Sequence, residues 1–197
     1  MSKYWIPSIE KKSSSGFREV SLPGSFLTGR KLFLSGAIDS LEAQHLVMQL
    51  LYLENEQAKE PIRLYIDSPG GEVQSGLMLY DTIQALTCPV ETWCMGTAAS
   101  MAAILLAAGT KGRRFILPHG RTLIHEPLIS DGIGGSATSI KNIADSILET
   151  RRILNELLTD CTGRSREEVE TATKAGNFMS AEQSVAFGLC DQVAQHF

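Results

Sequence analysis

Two side chains and two turns of this 197-residue chain have the types and settings that acyl transfer requires. Ser100 is a hydroxyl set among mostly small residues in Cys94-Met-Gly-Thr-Ala-Ala-Ser-Met-Ala-Ala103, between a strand-like run, Val90 to Cys94, and a helix-like run, Met101 to Ala108. A serine at such a junction exposes its hydroxyl, with the unpaired N–H groups of the first helical turn aimed at whatever it attacks. The same position also suits a simple helix N-cap. His125 ends the short strand-like run Thr122-Leu-Ile-His, which Pro127 stops. An imidazole held there by a rigid scaffold can act as a general base, or it can be a core histidine bonded to backbone. Asp67-Ser-Pro-Gly-Gly71 follows a strand-like run, Ile62 to Ile66. Its glycines let the backbone approach a ligand closely and offer N–H groups to an anion, or they form a tight turn with no ligand.

Other sites are poorer. His45 lies off the apolar stripe of its segment, His119 sits in a turn beside Gly120, and His196 adjoins the C-terminus. The Pro-Gly-Gly turn is not a Walker loop, since no Gly-Lys-Ser/Thr follows, and it lacks the Gly-x-Gly-x-x-Gly spacing of a dinucleotide fingerprint. Cys88, Cys94, Cys161 and Cys190 have no zinc-type spacing, and no metal site is expected.

The elements that must position these residues alternate between strand and helix patterns. Residues 1–29 read as an irregular arm with little periodicity, and 30–197 as a single α/β domain. Lys31 to Leu34 predicts a strand. Asp39-Ser-Leu-Glu42 has capping-box spacing before a helix whose stripe is Ala43, Leu46, Val47, Leu50 and Leu51. A further helix is expected over Glu72 to Leu86, strands over Phe115 to Leu117 and Leu189 to Val193, and short helices after Ser165-Arg-Glu-Glu168 and Ser180-Ala-Glu-Gln183. Ser139 to Cys161 carries the longest helical pattern, a rod of roughly 34 Å that exceeds the needs of a small core. Such a rod would bury its extra apolar surface against another subunit, or lie as an amphipathic surface helix.

Composition excludes several classes. The hydrophobic content of 43% and charged content of 20% are those of a globular domain, and a net charge of −4 with no basic run argues against a nucleic-acid partner. The longest uncharged run of small apolar residues, Ala98 to Gly109, is too short to cross a bilayer, and the N-terminus has no signal-peptide core. Unpaired cysteines in apolar runs fit a reducing, cytoplasmic compartment.

Together, Tyr65-Ile-Asp-Ser-Pro-Gly-Gly71, Tyr80-Asp-Thr82, Cys94-Met-Gly-Thr-Ala-Ala-Ser-Met101, Lys111-Gly-Arg-Arg-Phe115, Leu123-Ile-His-Glu-Pro127 and Phe178-Met-Ser-Ala181 resemble the proteolytic subunits of ATP-dependent Clp proteases. The resemblance runs in order from about residue 17 to 193, with a small insertion near 129–135, and Ile6-Pro-Ser-Ile-Glu10 is similar to that family's axial loop. It implies a crotonase-like α/β fold of repeated ββα units with a handle at about 128–161. It also implies stacked heptameric rings, homo- or hetero-oligomeric, around a chamber to which an AAA+ unfoldase delivers polypeptides; ATP is used by that partner and this chain binds no cofactor. By position the resemblance makes Ser100 the nucleophile, His125 the general base, and the N–H groups of Gly71 and Met101 the oxyanion hole.

The departure falls on the third member of the triad. The family has an aspartate two residues before the phenylalanine of the Phe178 motif, where this chain has Gly176, and Ala175 replaces an arginine that helps couple the rings. Loss of the carboxylate costs reference serine proteases roughly 10⁴-fold in turnover. Glu126 should point to the opposite face if the strand runs through it, and Asn177 is one position out of register. Two readings follow. One is a serine endopeptidase working through a dyad or an unrecognised third group; the other is a weakly active or inactive ring subunit paired with a competent paralogue. An acyl-CoA enzyme of the crotonase superfamily would need neither Ser100 nor His125.

Overall fold

The computed structural model describes residues 8–13, 16–57, 59–129 and 134–196, so part of the arm's axial-loop segment and most of the glycine-rich insertion lie outside the described residues. The arm is not irregular. It forms an antiparallel hairpin of β1 (Ser8–Ser13) and β2 (Gly16–Ser21), followed by helix α1 (Leu22–Thr28), whose Phe26 packs edge-on against Phe33. Ile9 and Val20, opposite one another in the hairpin, are half-buried while most of their neighbours are exposed. Backbone pairing without an apolar face leaves no period in the sequence to read.

The succeeding elements are β3 (Lys31–Ser35), α2 (Ser40–Glu56), β4 (Ile62–Ser68), α3 (Val73–Ala85), β5 (Val90–Ala99), α4 (Met101–Ala107), β6 (Arg114–Ile116) and β7 (Arg121–Ile124). The chain continues through α5 (Ala137–Thr162), α6 (Arg166–Lys174), β8 (Asn177–Met179), α7 (Ala181–Phe187) and β9 (Gln192–Val193). The seven-stranded sheet is mostly parallel and follows β3-β4-β5-β6-β9, with β7 also on β5 and β8 antiparallel to β7. It is the mixed α/β architecture of the crotonase-like fold.

Strand β5 organises this sheet because one of its edges serves two partners in turn. Thr92 to Cys94 pair with β6, and Thr97 to Ala99 pair with β7. On its other edge the register with β4 shifts between Ile66 and Ser68, and the Asp67 carboxylate accepts the Thr97 N–H at 2.9 Å across that irregularity. One sheet face buries Leu32, Leu34, Ile62, Leu64, Ile66 and Cys94 against the helices. On the other face Phe33, Tyr65, Trp93 and Phe115 stand opposite one another in register, with ring centroids 5.2, 6.1 and 4.2 Å apart.

Helix α4 is buried at all seven positions. Its alanines and the glycine of α3 permit close packing, since a Cβ on Gly76 would lie 2.5 Å from the Met101 methyl. The inner stripe of α2 is Ala43, Leu46, Leu50 and Leu53, with Val47 packed at its edge. Leu51, expected in that stripe, is 49% exposed because a residue adjacent to Leu50 is turned 100° away from the core. Helix α5 spans 26 residues, about 39 Å, and only its C-terminal half buries side chains, at Leu154, Asn155, Leu158 and Cys161. Both short helices begin with complete capping boxes, Ser165 with Glu168 and Ser180 with Gln183. No helix among the described residues is long and apolar enough to cross a membrane.

A buried clasp closes the fold. Arg114, on β6, pairs with Asp191 through two nitrogens at 3.0 and 2.6 Å and donates to the carbonyls of Ala107 and Cys161 at the ends of α4 and α5. Burial alone would raise the Asp191 carboxyl, but the hydrogen bonds and charge of Arg114 prevail and lower it. The folded-state value therefore lies below the unfolded one near 4, so the pair stabilises the fold above that pH and loses its effect as pH falls through the lower value. Asp191→Asn is expected to cost about 3 kcal/mol at neutral pH in urea denaturation, with a smaller loss of stability on acidification than the wild type shows.

Candidate active site

Strand β5 continues past Cys94 to Ala99 and delivers Ser100 directly to the start of α4. The serine adopts φ 56°, ψ −125°, a region that non-glycine residues rarely occupy, and its N–H donates to the Leu123 carbonyl at 2.8 Å. This hydrogen bond extends the β5–β7 ladder by one residue, so the sheet holds the turn in a sharp elbow. Ser100 is half-buried, and among the described residues its hydroxyl makes no hydrogen bond.

The Pro-Gly-Gly turn lies against this elbow. Gly70 has φ +87°, and a Cβ there would stand 2.5 Å from the Ala99 carbonyl oxygen and 2.7 Å from the Ser100 Cβ. Gly71 bridges to Ile38, where a Cβ would stand 2.1 Å from the Ile38 carbonyl oxygen. That bridge uses the Gly70 carbonyl and the Glu72 N–H, leaving the Gly71 N–H outside it. Met101 opens α4, where the first N–H groups have no helical carbonyl to bond.

Ser100, His125, Gly71 and Met101 line one cavity of about 130 Å³. Its remaining walls are mainly apolar, including Val73, Ile104, Ile124, Leu128, Leu154 and Leu158. The walls can receive an apolar side chain. His45, His119 and His196 are exposed and lie elsewhere. The His125 ring sits just beyond the end of β7 and places Nδ1 2.6 Å from the main-chain oxygen of Glu126; it makes no hydrogen bond to Ser100. The Glu126 side chain is directed to Arg151 on α5, 3.2 Å away.

Gly176 is the residue after the last turn of α6, with φ +66° and its N–H donating to the Thr173 carbonyl at 3.2 Å. A left-handed residue at this point is a common helix terminator, and glycine meets that need without a Cβ penalty. Gly176 and Asn177 line a separate, open groove of about 790 Å³. Asn177 stands opposite Ile124 in the β7–β8 pair.

One polar residue of the cavity was not anticipated. Asn155, 3% exposed, points in from α5 and has Oδ1 3.4 Å from the Thr173 hydroxyl. The available signal was an amide flanked by Leu154 and Leu158 on the inner side of an amphipathic helix. The four cysteines are free and buried. Burial pushes the Cys88 thiol up to about 11 and those of Cys94 and Cys190 up to about 12, so they stay protonated at neutral pH. Among the described residues no group of three or more His, Cys, Asp or Glu is placed to hold a metal ion.

A family model described as Clp protease matches residues 14–197, which takes in every element of the sheet and the whole cavity. The contact distances at Gly70 lead to a direct test of the elbow. Gly70→Ala should lower stability by about 1–3 kcal/mol or displace Ser100, because the added methyl meets backbone rather than a yielding side chain. Thermal unfolding together with fluorophosphonate labelling of Ser100 measures both effects.

Proposed function

Since the chain belongs to the Clp protease family, we propose that it is a serine endopeptidase subunit in which Ser100 attacks the substrate peptide carbonyl. The observation that supports this reading is that Ser100, His125, Gly71 and Met101 line a single cavity. As the seryl oxygen bonds to the carbonyl carbon, His125 Nε2 accepts the hydroxyl proton and the carbonyl π electrons move onto oxygen. The Gly71 and Met101 N–H groups stabilise that oxyanion. Collapse of the tetrahedral species expels the amine, which takes the proton from His125, and water releases the acyl group by the same steps.

The setting proposed for this chemistry is the family's chamber of stacked heptameric rings in the cytoplasm, with an AAA+ unfoldase supplying unfolded polypeptides and consuming ATP. Two features favour such an assembly. The N-terminal half of α5 leaves Ile140 and Leu148 44% and 51% exposed, and the outer face of α2 exposes Leu41, Met48 and Tyr52. Apolar faces of this kind are covered in assemblies.

Gly176 supports a second reading, that of a weakly active or inactive ring subunit working beside a competent paralogue. In the register of the family it stands where the triad aspartate belongs, and it offers His125 no side chain. The experiment is fluorophosphonate labelling of the purified protein, alone and mixed with a paralogue, against a Ser100→Ala control. Labelling that Ser100→Ala abolishes is the expected result, and no labelling under either condition overturns the peptidase reading. A Cβ at Gly176 meets nothing within 4 Å, and aspartate tolerates the left-handed region better than most residues. Gly176→Asp should therefore fold and raise the labelling rate by about tenfold or more, within the roughly 10⁴-fold that the acid is worth elsewhere.

A further inference from the structure

We infer that the main-chain carbonyl of Glu126, held in place by Arg151, Thr173 and Pro127, is the group that orients the His125 imidazole in this chain. The inference rests on the assignment of His125 as general base made above. Nδ1 lies 2.6 Å from the Glu126 oxygen. A carbonyl can only accept, so the contact is a hydrogen bond solely when Nδ1 carries the proton. That tautomer leaves the lone pair on Nε2, the nitrogen that must take the seryl proton. A carboxylate ordinarily does this work and also balances the imidazolium charge; a neutral carbonyl does the first and only part of the second.

The carbonyl is itself constrained from three directions. The Glu126 N–H donates to the Thr173 carbonyl at 3.2 Å, at the end of α6. The Glu126 carboxylate pairs with Arg151 of α5, also at 3.2 Å. Pro127 follows, and a residue before proline is confined to extended backbone, which restricts the direction of its carbonyl. Glu126 is thus a positioning residue that acts through its peptide group, with its carboxylate serving as an anchor. Thr173 O accepts from Gly176 N–H as well, so the turn that carries the glycine also steadies the histidine.

The test reads the tautomer directly. Protein labelled with nitrogen-15 at histidine, with a His125→Gln sample to assign the signal, is examined at about pH 8, above the ordinary titration range of histidine. Wild type should show a protonated Nδ1 and an unprotonated Nε2. Arg151→Met and Pro127→Ala, which loosen the carbonyl, should move the signals toward the opposite tautomer and slow fluorophosphonate labelling of Ser100, by about three- to fivefold for the half-exposed ion pair. In the Gly176→Asp background the Arg151→Met loss should shrink, because a side-chain acceptor is then present. A wild-type proton on Nε2, or a tautomer unmoved in both loosened variants, overturns the inference. The expected tautomer with no Ser100 labelling would defeat the peptidase reading and leave this one standing; labelling with the opposite tautomer would do the reverse.

Discussion

The backbone at Ser100 is the constraint on which the rest of the architecture depends. A non-glycine residue at φ 56°, ψ −125° costs about 1–3 kcal/mol and persists only where its surroundings over-determine it. Here they do. The serine N–H is tied to Leu123 on β7, Gly70 fills the space where any side chain would strike the Ala99 carbonyl, and the helix that follows is buried along its whole length. The small residues around the serine are therefore required twice, to admit the Pro-Gly-Gly turn and to let α4 sink beneath the sheet.

The forked edge of β5 follows from the same requirement. To reach Ser100 in the right place, the strand must leave β6 after Cys94 and take up β7 from Thr97, and the Asp67 carboxylate bridges the irregularity on the β4 side. Ser100 is consequently held between a parallel sheet and a buried helix. The histidine depends on a different set of contacts. His125 lies beyond the end of its strand and is reached through Glu126, which contacts Arg151 of α5 and Thr173 near the end of α6. Gly176 belongs to this second system, since its N–H shares the Thr173 carbonyl with that of Glu126.

Glycine at 176 also has a structural use. It ends α6 in the left-handed conformation and shares the Thr173 carbonyl with the segment that carries the histidine. Glycine here serves as a helix terminator, and in the proposed arrangement the main-chain contact at Glu126 supplies the imidazole with an acceptor. A neutral acceptor stabilises imidazolium less than a carboxylate does. The proposed peptidase would accordingly be slow, which connects Gly176 to the proposal of a paralogue in the same assembly.

Much of the fold was legible in the sequence because its signals are local. Capping pairs at Ser165 and Ser180, the glycine after α7, the alternation through Ile62 to Ile66 and the long period of α5 each report the state of their own segment. The register of the motifs likewise singled out Ser100, His125, Gly71 and Met101, which share one cavity. The hairpin at the N-terminus was not legible, since strands without an apolar face carry no period, and neither was the outward turn of Leu51. Tertiary structure alone decided what surrounds His125. The sequence determined that no acid stands at Gly176, and read as a continuous strand it turned Glu126 away from the histidine. The end of β7 at Ile124 sends the Glu126 carboxylate to Arg151 and its carbonyl to the imidazole, an outcome set by contacts between segments far apart in the chain.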